Sequence, residues 1–366
     1  MKIIKVLMLV PDLKAANGVT SYAMNYFKKL DHKKIHMDFA IYSDELLVED
    51  YKKEIEITGG KVFVLPRFFS FEHYAACKKI IKEGNYDIVH NNSLINTIPM
   101  MNAARCAKVS IRILHSHNSK MGETLKKEKR NQLFLPILKA LSTHYAACSE
   151  VAGKAMFHKK KFVIIPNIID GEKFKFSQEK RERVRKEMNI QDEYIIISVG
   201  RLAVQKNPFF ALNVIKEIIK KDSNIEYWWV GDGPLQEQVK EYVNKLEIGN
   251  WVRFLGSRTD VCDLYQAADC FFMPSIFEGL GIICIEAQAM GLSCVISDVI
   301  PQLVDYTDLV ERLTLSEDTS RWGMKILEKK NDASNRLLYE KKLADSVFSD
   351  VGAGNYLGTW YDSMIG

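Results

Sequence analysis

Short, continuous apolar runs recur along the chain, each leading into a loop with Gly, Asn or Ser and then into a stretch of helical periodicity. The runs are IIKVLMLV (3–10), MDFAIY (37–42), KVFVLP (61–66), YDIVH (86–90) and RILH (112–115), then YIIISVG (194–200), IEYWWVG (225–231), WVRFLG (251–256), CFFMPS (270–275) and SCVIS (293–297). Helix-like segments between them include 18–30, 72–83, 207–221, 234–246 and 281–290. A strand that is apolar at successive positions is buried on both faces, and strands of that kind alternating with amphipathic helices build parallel sheets. The fold class is therefore α/β. The series runs twice, interrupted at PNIIDGEKFKF (166–176), where Pro, Asp and Gly followed by the charged stretch 178–187 read as an interdomain linker. At about 150 residues per domain, 366 residues are a little over two domains. Ligands of such domains bind at the C-terminal ends of the strands.

Composition narrows the partners. Hydrophobic residues make up 47% of the chain and charged residues 27%, which excludes collagen-like and disordered classes. The seven cysteines have no C-x-x-C spacing and sit mostly among apolar neighbours, so they read as reduced packing residues of a cytoplasmic protein. No apolar run reaches the ~18 residues of a membrane span. In MKIIKVLMLV, Lys5 and then Pro11-Asp12 interrupt the apolar run, which makes it a buried first strand rather than a signal peptide. Residues 1–170 carry 27 Lys and Arg against 16 Asp and Glu, whereas the remainder carries 24 against 30. Only the first half is thus built to meet an anionic partner. No recognition-helix, RRM or OB signature accompanies that charge, so nucleic acid is not expected.

The densest chemical signal runs from Pro274 to Ala287. An apolar strand ends at Met273, and a loop bearing Glu278, Gly279, Leu280 and Gly281 leads into a helix that stops before Gly291. Glycines 279 and 281 let backbone N–H groups approach a phosphate at the helix N-terminus. Glu286, one turn into the helix, is placed to hydrogen-bond a ribose diol, and Glu278 lies nearer whatever the phosphates carry. Alternatively, this is a strand–turn–helix with solvent-facing carboxylates. A second cluster, Ser198 to Asn207, puts Arg201 and Lys206 after another strand, where they serve as phosphate ligands or as solvated cations. Gly231-Asp232-Gly233-Pro234 reads as a tight turn. The backbone of Gly256-Ser257-Arg258 is placed to meet a base edge.

Together, GR-x4-K-N, VGDGP, FLG and PS-x2-EG-x-G-x4-EA resemble the retaining nucleotide-sugar glycosyltransferases of GT-B type, specifically family four. The resemblance covers nearly the full length and is strongest from 194 to 298. It implies two facing Rossmann-like domains with a cleft between them. Residues 1–170 would be the acceptor-side domain and 171–350 the nucleotide-sugar domain, with a final helix at about 351–366 crossing back to the first. It further implies that Arg201 and Lys206 bind the donor diphosphate, Glu286 the ribose, and Glu278 the region of the donor sugar and reacting centre. Gly231, Gly256, Arg258, Gly279, Leu280 and Gly281 complete the donor set. Gly18, in Asn17-Gly18 where many relatives have two glycines, would approach the diphosphate from the acceptor side.

By the same resemblance His115, after RIL, contacts the donor sugar and the attacking hydroxyl, with His117 of the His-Ser-His-Asn run as the competing choice. His90 reads as a satisfied loop histidine; with Asn17, His117 and Asn118 it completes the acceptor-side candidates. Two histidines two residues apart also match a metal spacing, but no acidic or Cys cluster completes a site. No D-x-D occurs in the sequence, so no metal or other cofactor is expected. The charge on the leaving diphosphate then falls to Arg201, Lys206 and the helix N-terminus at 279–282. In the implied reaction the acceptor hydroxyl attacks the face from which the diphosphate leaves, and its proton passes to a phosphate oxygen.

Residues 120–143 join Lys126, Lys127, Lys129 and Arg130 to an apolar stretch broken by Pro136, and Phe68, Phe69 and Phe71 stand in a loop upstream. A basic, aromatic-bearing surface is expected to dock on anionic lipid at the inner membrane face, where a lipid-linked sugar acceptor is found. The His-Ser-His-Asn run and SD-x-IP at 297–301 resemble the capsule and exopolysaccharide branch, with a UDP-sugar as donor. Two alternatives use the same fold: a nucleotide-sugar 2-epimerase, for which no acid–base set at C2 is evident, and a catalytically silent sugar-nucleotide-binding subunit.

Overall fold

Parallel pairing dominates the chain. The computed structural model describes residues 3–14, 17–43, 49–68, 70–122, 124–331 and 336–365. Its strands are β1 (Ile4–Leu9), β2 (Ile35–Ile41), β3 (Val62–Val64), β4 (Ile88–Asn91), β5 (Ile111–Ser116), β6 (His144–Ala147) and β7 (Val163–Ile164), then β8 (Tyr194–Val199), β9 (Ile225–Val230), β10 (Val252–Gly256), β11 (Cys270–Met273), β12 (Ser293–Ser297) and β13 (Val310–Leu313). They form two sheets, ordered β3-β2-β1-β4-β5-β6-β7 and β10-β9-β8-β11-β12-β13. The chain divides into two compact domains, Met1–Ile168 with Gly352–Gly366, and Ile169–Val351.

The strands are buried as their sequences require. Val6, Leu7, Met8 and Leu9 of β1 are inaccessible to solvent, and so are Ile195, Ile196 and Ile197 of β8. Helices cover the sheets: Tyr22 and Tyr26 of helix Gly18–Phe27 pack on the first, and Ile215, Ile218 and Trp322 on the second. In each sheet the strand order reverses once, between β1 and β4 and between β8 and β11. In open parallel sheets such reversals mark where ligands bind, at the C-terminal ends of the strands.

Two expectations are corrected. The charged stretch 178–187 is not linker but helix Gln178–Glu187 of the second domain. Arg181 donates to the carbonyls of Gln266, Ala267 and Ala268 and pairs with Asp269 at 2.5 Å, so its charge satisfies the end of helix Val261–Ala267. Pro136 does not break the basic segment, because helix Leu125–Leu141 runs through it. Pro136 and Gln132 are both exposed, so the carbonyl that loses its i+4 partner is left to water. Of the loop aromatics, Phe71 opens helix Phe71–Gly84 and is 82% exposed, whereas Phe69 lies outside the described residues. Among the described residues no helix is long and apolar enough to cross a membrane.

Candidate functional site

In the second domain the loops after β8 and β11, the strands flanking the reversal, are tied together. Lys206 donates to Glu278 at 2.6 Å, with the side chains 15% and 9% exposed. Gln205 donates to the other Glu278 oxygen at 3.2 Å and to the Phe277 carbonyl at 3.1 Å, while its own carbonyl accepts from Ile276 N–H at 2.8 Å. The Lys206 stem lies against Gly200, where a Cβ would come within 2.7 Å of Cε. Arg201, next to Gly200, is exposed.

The turn after β9 is packed equally closely. Gly231 has φ +129°, and a Cβ there would collide with the Gly200 carbonyl, so the β8 and β9 loops touch through bare backbone. Gly231 N–H bonds the Gly256 carbonyl at 2.8 Å, and Asp232 accepts from Ser257 N–H at 2.8 Å. Arg258 forks onto Asp260 at 2.7 and 2.5 Å, so its guanidinium is already engaged.

Helix Ile282–Ala289 starts at Gly281, which has φ +92° and supplies no side-chain cap. Its first N–H groups thus have no side-chain cap and stand at the positive end of the helix dipole at the C-terminal edge of β11, while Cys284 N–H bonds the Gly281 carbonyl at 2.9 Å. Gly279 and Leu280 are buried beside it. Glu286, one turn on, is half-buried; desolvation pushes its carboxyl from 4.5 up to about 7, against the charge of Lys173, which pulls it down. The helix ends at Gly291 (φ +68°) in a Schellman turn, Leu292 N–H bonding the Ala287 carbonyl at 3.0 Å and Gly291 N–H the Gln288 carbonyl at 2.9 Å.

In the first domain, Asn17 caps helix Gly18–Phe27, accepting from Val19 N–H at 3.0 Å and donating to Asp12 at 3.0 Å. Gly18 is exposed, and a Cβ there would meet nothing within 4 Å. His90 and His115 lie within β4 and β5 rather than after them, since parallel pairing carries β4 to Asn91 and β5 to Ser116. His90 Nε2 is 3.0 Å from His115 Nδ1, and His90 Nδ1 is 2.6 Å from the Tyr361 hydroxyl in the final helix, Tyr356–Ile365. The rings of His115 and His117 stack at 4.1 Å, with Tyr22 edge-on to His115 at 4.9 Å. His117 Nε2 donates to the Asn92 carbonyl oxygen at 2.8 Å. Burial lowers all three histidines, His90 and His117 to about 3, so all are neutral near pH 7. His115 Nε2, His117 Nδ1 and Asn118 Oδ1 are buried without a hydrogen-bond partner among the described residues.

Residues 180–311 match the model of the glycosyl transferases group 1, and residues 16–173 that of Glycosyltransferase Family 4. Over 319 residues the chain is 32% identical to the putative glycosyltransferase EpsF of Bacillus subtilis (strain 168), covering 84% of this chain and 83% of that protein. The chain belongs to the family-four glycosyltransferases. It is also 31% identical over 233 residues to the Escherichia coli UDP-Gal:alpha-D-GlcNAc-diphosphoundecaprenol alpha-1,3-galactosyltransferase, covering 60% of each chain. The crystal structure of Anabaena Alr3699/HepE in complex with UDP and glucose superposes with a TM-score of 0.82 at 17% identity, covering 98% of this chain and all of that one, and shows the same GT-B fold.

Within the glycosyltransferase, Lys206, Glu278, Gly279, Leu280, Gly281 and Glu286 gather at the β8–β11 edge of the second sheet, with Arg201 in the same β8 loop. Gly231, Gly256 and Arg258 follow β9 and β10. Asn17, Gly18, His90, His115, His117 and Asn118 lie in the first domain. Gln205, Lys173, Asn92, Tyr22 and Tyr361 are additional. Gln205 was readable from its place beside Lys206; the others carry no local signal.

Glu286 makes a testable mark on stability. Between about 4.5 and 7 the folded domain holds a proton on this carboxyl that the unfolded chain releases, so its contribution disfavours the fold increasingly as pH rises through that window. Urea unfolding at about pH 5 and pH 8 should show a larger loss on raising the pH in the wild type than in Glu286→Gln. Equal losses would show that the carboxyl is not desolvated.

Proposed function

We propose that this glycosyltransferase moves a sugar from a UDP-sugar to a lipid-linked saccharide or other glycan in cell-surface polysaccharide synthesis, with retention of configuration and without a metal. The observation that carries the donor reading is the edge of the second sheet, where the Lys206–Glu278–Gln205 cluster and the uncapped helix at Gly281 adjoin Glu286. The helix N-terminus, Arg201 and Lys206 take the diphosphate, and Glu286 hydrogen-bonds the ribose hydroxyls. The UDP in the HepE complex and the UDP-Gal and diphosphoundecaprenol in the name of the Escherichia coli relative support the donor and acceptor classes. Work done elsewhere by a D-x-D-bound metal falls here to fixed positive groups that stabilise the leaving diphosphate. The leaving phosphate oxygen takes the proton of the attacking hydroxyl, so no carboxylate becomes covalently attached to sugar.

The acceptor side is proposed to work at the cytoplasmic face of the membrane. Along helix Leu125–Leu141, Lys126, Arg130, Leu133 and Ile137 recur at steps of four, three and four, which aligns them on one face. All are exposed, Leu133 by 73% and Ile137 by 46%, as is Leu125 by 81%. Basic residues continuing into exposed aliphatics fit the interface of an anionic bilayer.

Three measurements test this reading. A thermal-shift panel of UDP, GDP, ADP and CDP in EDTA should show a UDP-selective rise that Lys206→Ala abolishes. At about 100 times the dissociation constant, binding adds ~2.7 kcal/mol of stability. A shift that needs added metal would overturn the metal-free reading. Proton NMR of the product should show the donor's anomeric configuration, and inversion would sink the mechanism. Liposome sedimentation should show binding to anionic but not neutral vesicles, reduced in Leu133→Ser/Ile137→Ser; equal sedimentation with both would remove the membrane proposal.

A further inference from the structure

The buried triad Tyr361–His90–His115 has a direction. His90 and Tyr361 are inaccessible to solvent and His115 is 2% exposed, so no bulk water supplements their hydrogen bonds. Both imidazoles are neutral, so each has one N–H and one lone pair. The chain of bonds at 2.6 and 3.0 Å can then run in only two senses.

In one sense, Tyr361 O–H donates to His90 Nδ1. His90 must then carry its hydrogen on Nε2 and donate to His115 Nδ1, which leaves His115 with an Nε2–H. In the other sense, His115 Nδ1–H donates to His90 Nε2 and His90 Nδ1–H donates to Tyr361. The buried phenolic hydrogen then has no acceptor, because His90 is the one hydrogen-bond partner of the Tyr361 hydroxyl among the described residues. Each sense thus leaves one buried donor without a protein acceptor among the described residues, the phenolic O–H in the second and His115 Nε2–H in the first, so the strength of the 2.6 Å bond decides: a phenol is a better donor than a neutral imidazole N–H, and an imidazole nitrogen is a better acceptor than a phenolic oxygen. The first sense wins.

We propose that Tyr361 and His90 are positioning residues that hold His115 in its Nε2–H tautomer, so that His115 meets a sugar oxygen as a hydrogen-bond donor and does not take a proton from it. This rests on the glycosyltransferase reading in which His115 faces the transferred sugar. His115 Nε2 is buried and has no protein partner, which is the state of a group whose partner is a ligand. His117 is set the opposite way. Asn92 turns its amide nitrogen to the carbonyls of Leu9 and His90 and its oxygen to His117 Nε2–H, which leaves a lone pair on the buried, unpartnered Nδ1. The two stacked rings therefore offer one donor and one acceptor, the complement of a sugar hydroxyl. With His115 locked as a donor, the proton of the attacking hydroxyl has no base on this histidine, in keeping with its transfer to the leaving phosphate oxygen.

The tautomers are directly readable. Long-range proton–nitrogen NMR of the histidine-labelled full-length enzyme near pH 7.5 should show His90 and His115 neutral and both protonated on Nε2. Tyr361→Phe removes the donor that sets the chain, and His115 should then lose its single tautomer. His90→Gln can still donate an amide N–H to His115 Nδ1 and should restore the Nε2–H form, whereas His90→Phe should not. In turnover assays Tyr361→Phe should lower kcat about two- to tenfold, as loss of one oriented hydrogen bond predicts. Its UDP thermal shift should match the wild type, which also shows that the variant folds. A wild-type His115 protonated on Nδ1, or an unchanged tautomer in Tyr361→Phe, would overturn the relay. Correct tautomers with His115 resonances that do not move on adding UDP-glucose and UDP-galactose would instead overturn the contact with sugar on which it rests.

Discussion

Parallel pairing sends the C-terminal ends of all strands in a sheet to one edge, and the chemistry of this chain is arranged on two such edges. A parallel sheet needs a crossover between successive strands, so each strand end begins a loop leading to a covering helix. Where the order reverses, between β8 and β11, the crossovers go to opposite faces of the sheet, and such reversals are where ligands of parallel sheets bind. Lys206 and Glu278 stand there because their loops leave those two strands. His90 and His115 are the penultimate residues of adjacent strands of the first sheet: His90 pairs with Ile113, two residues before His115, which puts both imidazoles on one face.

Within the second edge, the Lys206–Glu278 pair sets the electrostatics. An ammonium and a carboxylate at 2.6 Å, each largely withdrawn from water, attract more strongly than the same pair on a surface, and either alone would carry a heavy desolvation cost. The pair fixes Lys206 before any ligand arrives, and Gln205 holds the second Glu278 oxygen, so the carboxylate cannot swing away. An anion entering this edge meets a lysine whose charge Glu278 already offsets in part. In the donor site proposed above, the remaining attraction falls to Arg201 and the turn at Gly281. The three positive elements are thus not interchangeable: one is an ion-paired lysine, one is an exposed guanidinium, and one is backbone.

Much of this was legible in the sequence because it is local. Strands buried on both faces show as unbroken apolar runs, and each of the ten expected runs overlaps a strand of one of the two sheets. The glycines of the Glu278–Glu286 segment and the spacing of Arg201 and Lys206 fix a strand–loop–helix unit without help from elsewhere. Three strands were not legible: β7, with two residues, and β13, Val-Glu-Arg-Leu, are edge strands, half solvated and without a continuous apolar signal, and β6, His-Tyr-Ala-Ala, is short and only half buried. The stretch 178–187 looked like linker because its arginines are charged, yet they serve carbonyls some 85 residues away, as Arg181 does for Gln266. Pro136 looked like a break because a proline usually is one, and only its exposure explains why the helix tolerates it.

The histidine cluster separates the two kinds of information most sharply. The sequence shows His115 and His117 as a pair two residues apart, and the structure puts His115 inside β5 and His117 one residue beyond its end. Whether either is an acid, a base or a donor is not a property of spacing. That depends on burial, which makes the imidazoles neutral, and on partners contributed by distant segments: Asn92 by a loop 25 residues from His117, and Tyr361 by a helix 271 residues from His90. A neutral imidazole has one hydrogen, and where it sits follows from the far end of the hydrogen-bond chain. The final helix matters to the site for that reason. It closes the first domain with apolar residues, Leu357 among them, and through one phenolic hydroxyl it sets the direction of a chain ending at His115 Nε2.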